Sequence, residues 1–422
     1  MFKFIHAADI HLDSPLHKLD VYEGAPVDQI RQATRAAFEN LVRLAIDQQV
    51  SFVLLSGDLY DGDWKDYNTG LYFVSQMRRL RDAQIPVLII AGNHDAASKI
   101  TKNLKLPKGV TIFSSNTPET VQLSHMGVAV HGQSFASPSI KKDLSADYPP
   151  AQPGCFNIGM LHTCATGKEG HAPYAPCSPD GLKSKGYDYW ALGHVHKRET
   201  LNKDPVIIFP GNIQGRHIRE TGAKGCLLVT VPENGKPKTE FIPLDVIRWF
   251  GLPVDASGAD SGYEVIERFK TGLDDLINLN PGMPLVVRVI LSGDTVAHKD
   301  LVFSMERWKN EIRATAADIS QENVWVEKIK IHTRLPVSKT ALETADGPIR
   351  ELTAVFDEFR DHPESLSLLA AEELSALEAK LPPELIEGDD PLLISDPEWL
   401  SALLEQVKPM LMQRLMQKGV SE

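Results

Sequence analysis

Over the first hundred residues, short runs of branched apolar residues alternate with amphipathic stretches. Phe2 to Ala7, Ser51-Phe52-Val53-Leu54-Leu55 and Pro86-Val87-Leu88-Ile89-Ile90 each read as a buried strand. Between the first two, Ile30, Ala33, Ala37, Leu41 and Leu44 recur at helical spacing, with Asp28 placed to cap that helix. Leu71, Val74, Met77 and Leu80 mark a second helix before the third strand. This βαβαβ alternation predicts an α/β fold with a largely parallel sheet and right-handed crossovers. Past residue 120 the rhythm changes to short strands with turn signals: Val121 to Leu123, Val128 to His131, Phe156 to Leu161, Tyr189 to Leu192 and Val206 to Phe209. Cys226 to Val231 and Thr239 to Pro243 continue that series, which predicts a second sheet packed on the first. Gly, Pro, Asp and Ser cluster between Ile247 and Gly262, marking a boundary. Beyond it, Leu285 to Leu291 and Val324 to Ile331 read as strands of a small mixed domain with a helix around Met305 to Thr315. From about Gly347 the chain reads as helices with acidic faces. The expected domains are residues 1–246, 247–340 and 341–422.

Composition adds two things. The 422 residues suffice for two or three domains, and 42% apolar with 24% charged content is ordinary for a globular protein. No apolar run approaches the ~20 residues that span a bilayer, and Met1 leads directly into strand pattern without a signal peptide. Cys155, Cys164, Cys177 and Cys226 form no C-x-x-C pair and no disulfide framework, so the expected location is cytoplasmic, away from membranes. Charge is unevenly placed. Ala341–Glu422 holds 18 acidic against 6 basic residues, which equals the −12 of the whole chain and leaves the remainder neutral. Net acidity therefore does not argue against a nucleic-acid partner for the first 340 residues.

The chemistry gathers at strand ends, where open α/β sheets place their sites. Asp9 and His11 follow the first strand, and Gly57-Asp58 the second. Gly92-Asn93-His94-Asp95 follows the third, His162 ends Phe156 to Leu161, and Gly193-His194-Val195-His196 ends Tyr189 to Leu192. Each group alone reads equally well as a cap, a polar loop or a structural histidine. Their joint placement at strand ends, with Gly beside three of them, does not. Spacing i, i+2 in Asp9/His11 and His194/His196 puts both side chains on one side of an extended segment. Carboxylate, imidazole and amide oxygen together suit manganese, iron or zinc better than calcium. Seven potential ligands exceed one catalytic zinc site and suit two divalent ions about 4 Å apart, as used in phosphoryl transfer. His17, His125, His131, His171, His298 and His332 lack such placement and read as structural.

These blocks resemble the calcineurin-like metallophosphoesterase superfamily, whose pattern D-x-H, G-D-x-x-D, G-N-H-D/E, H and G-H-x-H appears in order over residues 9–196. Within it, Ala8–Leu12, Leu55–Leu59 and Ala191–Lys197 look like the SbcD group of DNA repair nucleases. Asp13-Ser14-Pro15-Leu16 and Pro210–His217 are closer to the bacterial YhaO branch. The resemblance implies a β-sandwich flanked by helices (the nuclease domain, 1–246), a small α+β capping domain (247–340) and a C-terminal helical segment. It implies that Asp9, His11 and His196 hold one divalent ion, manganese by expectation, that Asn93, His162 and His194 hold the other, and that Asp58 bridges them. Hydroxide activated by the ions would attack phosphorus in line, and His94 would protonate or stabilise the leaving oxygen.

Asp61 stands where SbcD-type nucleases usually carry His, a form closer to metallophosphatases, and is expected to fix the tautomer of His94. Gly62 stands where protein phosphatases have Arg, which weakens that reading; exonuclease against endonuclease action stays open. Arg216 and His217 are candidate substrate-binding residues, beside Lys197, Arg198 and Arg219. The leading expectation is a DNA nuclease working with an SMC-like ATPase, as monomer or homodimer. No P-loop pattern is present, so any ATP-driven step needs that partner. The alternatives are a small-molecule or nucleotide phosphodiesterase or phosphatase, and a vestigial scaffold subunit of an ATPase complex. In the tail, Leu400, Leu403, Leu404, Val407, Leu411 and Leu415 recur at helical spacing across Pro409, with a shorter stripe at Leu366, Leu369, Leu374 and Leu377. By resemblance such helices grip the ATPase coiled coil; otherwise they pack on each other or on the capping domain.

Overall fold

The computed structural model describes residues 1–14, 27–61, 67–97, 105–165, 175–233, 235–320, 323–336 and 347–378, with scattered positions between 380 and 411. Strand β1 (Phe2–Ala7) starts the first sheet, and helix α1 (Val27–Asp47) returns the chain to β2 (Phe52–Ser56). Helix α2 (Tyr67–Asp82) leads to β3 (Val87–Ile90), followed by the single helical turn α3 (Asn93–Ala97) and β4 (Val110–Ile112). These four strands pair in parallel, β1 with β2, β2 with β3 and β3 with β4. Period-2 side-chain alternation with both sets apolar is what a strand covered on both faces requires. In β2, Val53 and Leu55 face the helices, in one core with Ala37, Leu41 and Met77. Phe52 and Leu54 face the other way.

The second sheet comprises β5 (Glu119–Leu123), β6 (Val128–Gly132), β7 (Phe156–His162), β8 (Tyr189–Gly193), β9 (Glu199–Lys203) and β10 (Val206–Phe209), with the turn α4 (Pro179–Lys183) before β8. Its order is β5-β6-β7-β8-β10-β9, parallel from β6 through β10 and antiparallel at both edges. Phe4, Phe52, Leu54, Leu88 and Ile90 of the first sheet pack against Ile158, Met160, Tyr189 and Ala191 of the second. Phe4 and Phe52 stack at 4.9 Å, and Tyr189 meets Phe4 edge-on at 5.3 Å. Each fully buried Phe in such a core contributes about 2–3 kcal/mol relative to exposure. Trp190, Leu192, Ile207 and Phe209 form a separate core on the outer face with Phe135 and Leu182. The result is a β-sandwich flanked by helices.

Strands β11 (Gly225–Val231) and β12 (Lys238–Pro243) correct the sequence expectation. They do not extend the second sheet; β11 pairs antiparallel with β1, from Phe2 opposite Val231 to His6 opposite Leu227, and β12 closes the edge. The pairing satisfies the outer backbone groups of β1, which would otherwise be a buried unpaired edge. Apolar pattern alone does not say which edge a strand joins.

Contacts divide the chain into Met1–Phe250 with Met283–Val286, and Gly251–Gly282 with Val287–Glu422. A three-stranded sheet in the order β13 (Arg248–Asp255), β14 (Leu285–Asp294), β15 (Val324–Arg334) accompanies α5 (Gly262–Leu279), α6 (His298–Phe303) and α7 (Met305–Ser320). Ser261 caps α5 through Glu264 N–H, and Val265, Phe269, Leu273, Trp308 and Ile312 are buried. Strand β13 and helix α5 run into the segment read as a boundary; their stripes are interrupted by Gly251, Pro253 and Gly272, which hides them in the pattern. Helices Pro348–Asp361 and Pro363–Glu378 follow.

Candidate metal centre

Parallel pairing carries β1, β2 and β3 to one end of their sheet, and β7 and β8 end at the same edge of the sandwich. The loops there cross at close range. Asp9 N–H donates to Gly57 O at 3.0 Å, His11 N–H to Asp58 O at 3.0 Å, and Leu12 N–H to Leu59 O at 2.9 Å. The two loops are thus zipped together by backbone bonds. Asp9, His11 and Asp58 adopt φ of 51°, 46° and 52°, and His194 one of 103°. Non-glycine residues there cost about 1–3 kcal/mol each, and such strain gathers where a site dictates the backbone. Gly92 and Gly193 are required by proximity. A Cβ on Gly92 would lie 2.2 Å from Asp58 Oδ1, and one on Gly193 1.9 Å from Ser56 O.

Asp9, His11 and His196 offer ligand atoms all within 4.8 Å of one another, as do Asp58, His162 and His194, and His11, Asp61 and His94. Asp9, His11, Asp58 and His162 are buried. His11 Nε2 lies 3.2 Å from His196 Nε2, 4.0 Å from Asp58 Oδ2, and its Nδ1 has no hydrogen-bond partner. Burial and the nearby Arg216 charge lower the His11 pKa to about 3, so the ring is neutral. His162 Nδ1 donates to Ser56 O at 2.9 Å. Its Nε2 then faces Asn93 Oδ1 at 3.0 Å and Asp58 Oδ2 at 3.3 Å. Burial alone would lower the His162 pKa, but Asp58 outweighs it and raises it to about 9. Asp58 in turn is held well below the carboxylate range against its burial, chiefly by His162.

Those contacts test the fit of a cation. A nitrogen already committed to donating at Nδ1 faces two oxygens with Nε2, which demands a proton or a metal between them. Two Nε2 atoms 3.2 Å apart make the same demand at the other set. Neighbouring ligands of one ion, each ~2 Å from it, stand about 3 Å apart. The donor set fits divalent ions of intermediate hardness.

His94 Nδ1 donates to Asp61 Oδ1 at 2.8 Å. Asp61 Oδ2 accepts from Arg216 Nη1 at 3.3 Å and from the Ser14 hydroxyl. Asp61 is therefore engaged on both oxygens, and although burial pushes its carboxyl up, His11, 3.6 Å away, His94 and Ser14 hold it well below the usual range. Desolvation would lower the His94 pKa, but Asp61 and Asp58 raise it. His94 keeps 37% of its side chain exposed. Asp95 anchors this loop by accepting from Leu59, Tyr60 and Gly92 N–H groups.

Arg216 is only 12% exposed and also donates to Glu220 Oε1 at 3.0 Å. His217 is partly exposed, with Nε2 3.6 Å from Glu220 Oε1. All eleven singled-out residues thus belong to one network. Glu220 escaped sequence reading. It is 4% exposed, and its Oε1 accepts from His196 Nδ1 at 2.7 Å. His196 and Arg216 hold its carboxyl well below the usual range, against burial. Only a hint was available in the acid four residues after Arg216, since nothing local shows that this loop folds back onto His196.

Residues 2–198 match the calcineurin-like phosphoesterase family, and residues 249–334 the middle domain of metallophosphoesterase YhaO. The uncharacterized metallophosphoesterase YhaO of Bacillus subtilis is 36% identical over 69% of this chain and 71% of its own. The DNA double-strand break repair protein Mre11 of Sulfurisphaera tokodaii is 24% identical over 73% of this chain and 78% of its own. That of Saccharolobus solfataricus is 28% identical over 48% and 52%. With the candidate ligand blocks, their geometry and both family matches in agreement, the chain belongs to the YhaO family of calcineurin-like metallophosphoesterases, homologous to the Mre11 and SbcD nucleases.

Proposed function

We propose that this protein is a metal-dependent DNA nuclease that works with an SMC-like ATPase. The observation that carries the hydrolase reading is the pair of ligand sets, each with imidazole nitrogens aimed at oxygens or at each other across about 3 Å. Asp9, His11 and His196 would hold one ion, Asn93, His162 and His194 the other, with Asp58 between them. Two divalent ions, manganese by preference, would lower the pKa of a water and neutralise charge on the phosphoryl oxygens. The chain's own residues do the rest. Asp61 holds His94 by Nδ1, 2.8 Å away, which aims the opposite nitrogen outward. Its raised pKa lets His94 carry a proton to the leaving oxygen. Arg216, which reaches Asp61, and His217, near Glu220, would contact the substrate phosphate.

DNA as substrate is supported by homology to proteins named for double-strand break repair. The acidic helical tail suits a protein partner better than DNA. The test is hydrolysis of single- and double-stranded DNA beside bis-p-nitrophenyl phosphate, with Mn²⁺ and with EDTA. Mn²⁺-dependent cleavage of DNA is expected. Turnover of the small diester without DNA cleavage would point instead to a small-substrate phosphodiesterase.

A further inference from the structure

Glu220 lies outside both ligand sets, yet touches His196 and Arg216 and is almost fully buried. A carboxylate oxygen 2.7 Å from His196 Nδ1 requires that nitrogen to carry the proton. Arg216 Nη2, 3.2 Å from the same nitrogen, therefore donates to Glu220 and not to the ring. His196 Nε2 is left with its lone pair directed at His11 Nε2. Glu220 Oε2 accepts from Asn212 Nδ2 and Arg216 N–H, at 2.9 and 2.8 Å, so the carboxylate cannot rotate away. From Glu220, Arg216 runs on to Asp61, and Asp61 to His94.

We propose that Glu220 is a positioning residue that fixes the metal-binding tautomer of His196 and, through Arg216, sets the placement of Asp61 and His94. The chain of contacts joins the metal ligands to the acid with no covalent link, so a shift at one end reaches the other. Carboxylate–histidine–metal arrangements raise ligand basicity and lock ring orientation, and losing the carboxylate weakens metal binding about 10–100-fold. This inference rests on the reading of His196 as a metal ligand.

The test strips the full-length protein with EDTA and titrates it with Mn²⁺ alone by calorimetry, with thermal unfolding followed in parallel. Glu220→Ala is expected to weaken one ion about 10–100-fold and spare the other. Glu220→Gln keeps an acceptor for His196 Nδ1–H and should bind both nearly as wild type; Glu220→Asp keeps charge but withdraws from the ring and should resemble Ala. Two ions bound with wild-type affinity by Glu220→Ala would overturn the inference while leaving the metal centre intact. Wild-type protein that binds no Mn²⁺ would overturn the metal reading itself. If the Ala variant does not fold, equal affinities for Gln and Asp, or Asp above Gln, overturn the inference. Arg216→Met should keep both ions and lower kcat on bis-p-nitrophenyl phosphate beyond any rise in KM. A rise in KM alone would overturn the clamp and leave Arg216 a substrate contact.

Discussion

Two histidines of one site, His94 and His162, differ entirely in duty, and the partner of the second ring nitrogen decides it. His162 gives Nδ1 to a backbone carbonyl and keeps Nε2 among oxygens; His94 gives Nδ1 to Asp61 and keeps the rest of its ring toward solvent. His94→Ala should therefore retain both metal ions and lose about 10²–10⁴ in kcat, the usual worth of a positioned acid. Asp58→Ala should lose metal as well as activity, because Asp58 Oδ2 lies within 3.3 Å of His162 Nε2 and 4.0 Å of His11 Nε2. Metal content measured beside turnover separates the two; a His94 variant recovered without metal would refute the assignment. Asp61→Asn should keep its metals and slow the reaction on the order of 10²-fold, less than the ~10⁴ that a triad carboxylate can contribute. Unchanged kinetics would reduce Asp61 to a structural anchor for Arg216 and Ser14. The candidate residues named here, unlike Glu220, were singled out in the sequence because their blocks sit at strand ends, three of the five beside glycine. Glu220 was not, because its role is made by a fold-back that leaves no spacing to read.

At the scale of elements, the sandwich is held in register at its catalytic end by buried polar contacts between β1 and β8. His6 of β1 donates from Nε2 to Leu192 O and accepts at Nδ1 from Tyr189 Oη, both at 3.0 Å. Burial lowers the His6 pKa to about 3. The folded state thus refuses a proton that the unfolded chain accepts near 6.5. Stability from this group is complete above pH 6.5 and is lost as pH falls toward 3. Between pH 7 and pH 5 the loss is about 2 kcal/mol. His6→Gln should remove that part of the pH dependence, so urea unfolding of variant and wild type should converge as the solution is acidified. Parallel curves at pH 7 and pH 5 would mean that His6 is protonated in the fold. The pairing of β11 with β1 belongs to this scale as well, a choice of edge that strand pattern did not determine.

For the whole molecule, the described part of the tail divides its apolar surface. Phe356, Ala370 and Leu400 are buried, and Lys408 lies over the Phe356 ring and 3.8 Å from Asp357. Leu368, Leu369 and Leu377 are exposed at 73, 46 and 51%. Some of the stripe therefore packs on its neighbours, and some is left for another surface. Leu415 and most of the segment from Gly388 lie outside the described residues. Deleting residues from about Gly388 onward should leave a folded, metal-binding hydrolase that no longer co-purifies with the SMC-like ATPase proposed as its partner. Retained capture would exclude the tail as the grip, and a collapsed nuclease fold would show the helices to be structural. Among described residues no helix is long and apolar enough to cross a membrane.

The sequence by itself determined the alternation of strands and helices, the position of each ligand block at a strand end, and the family to which those blocks belong. These are local properties: side-chain periodicity follows from backbone geometry, and glycine beside a ligand follows from lack of room. Tertiary structure alone decided which sheet β11 joins, that β13 and α5 fill the Gly- and Pro-punctuated stretch, and that Asp61 is engaged on both oxygens. It also decided that Arg216 is buried between two carboxylates and that Glu220 stands behind His196. Such facts depend on contacts between residues far apart in the chain, 185 positions in the case of Asp9 and the His194 amide. No local pattern encodes them, because the free energy that selects them appears only once both sheets have closed on each other.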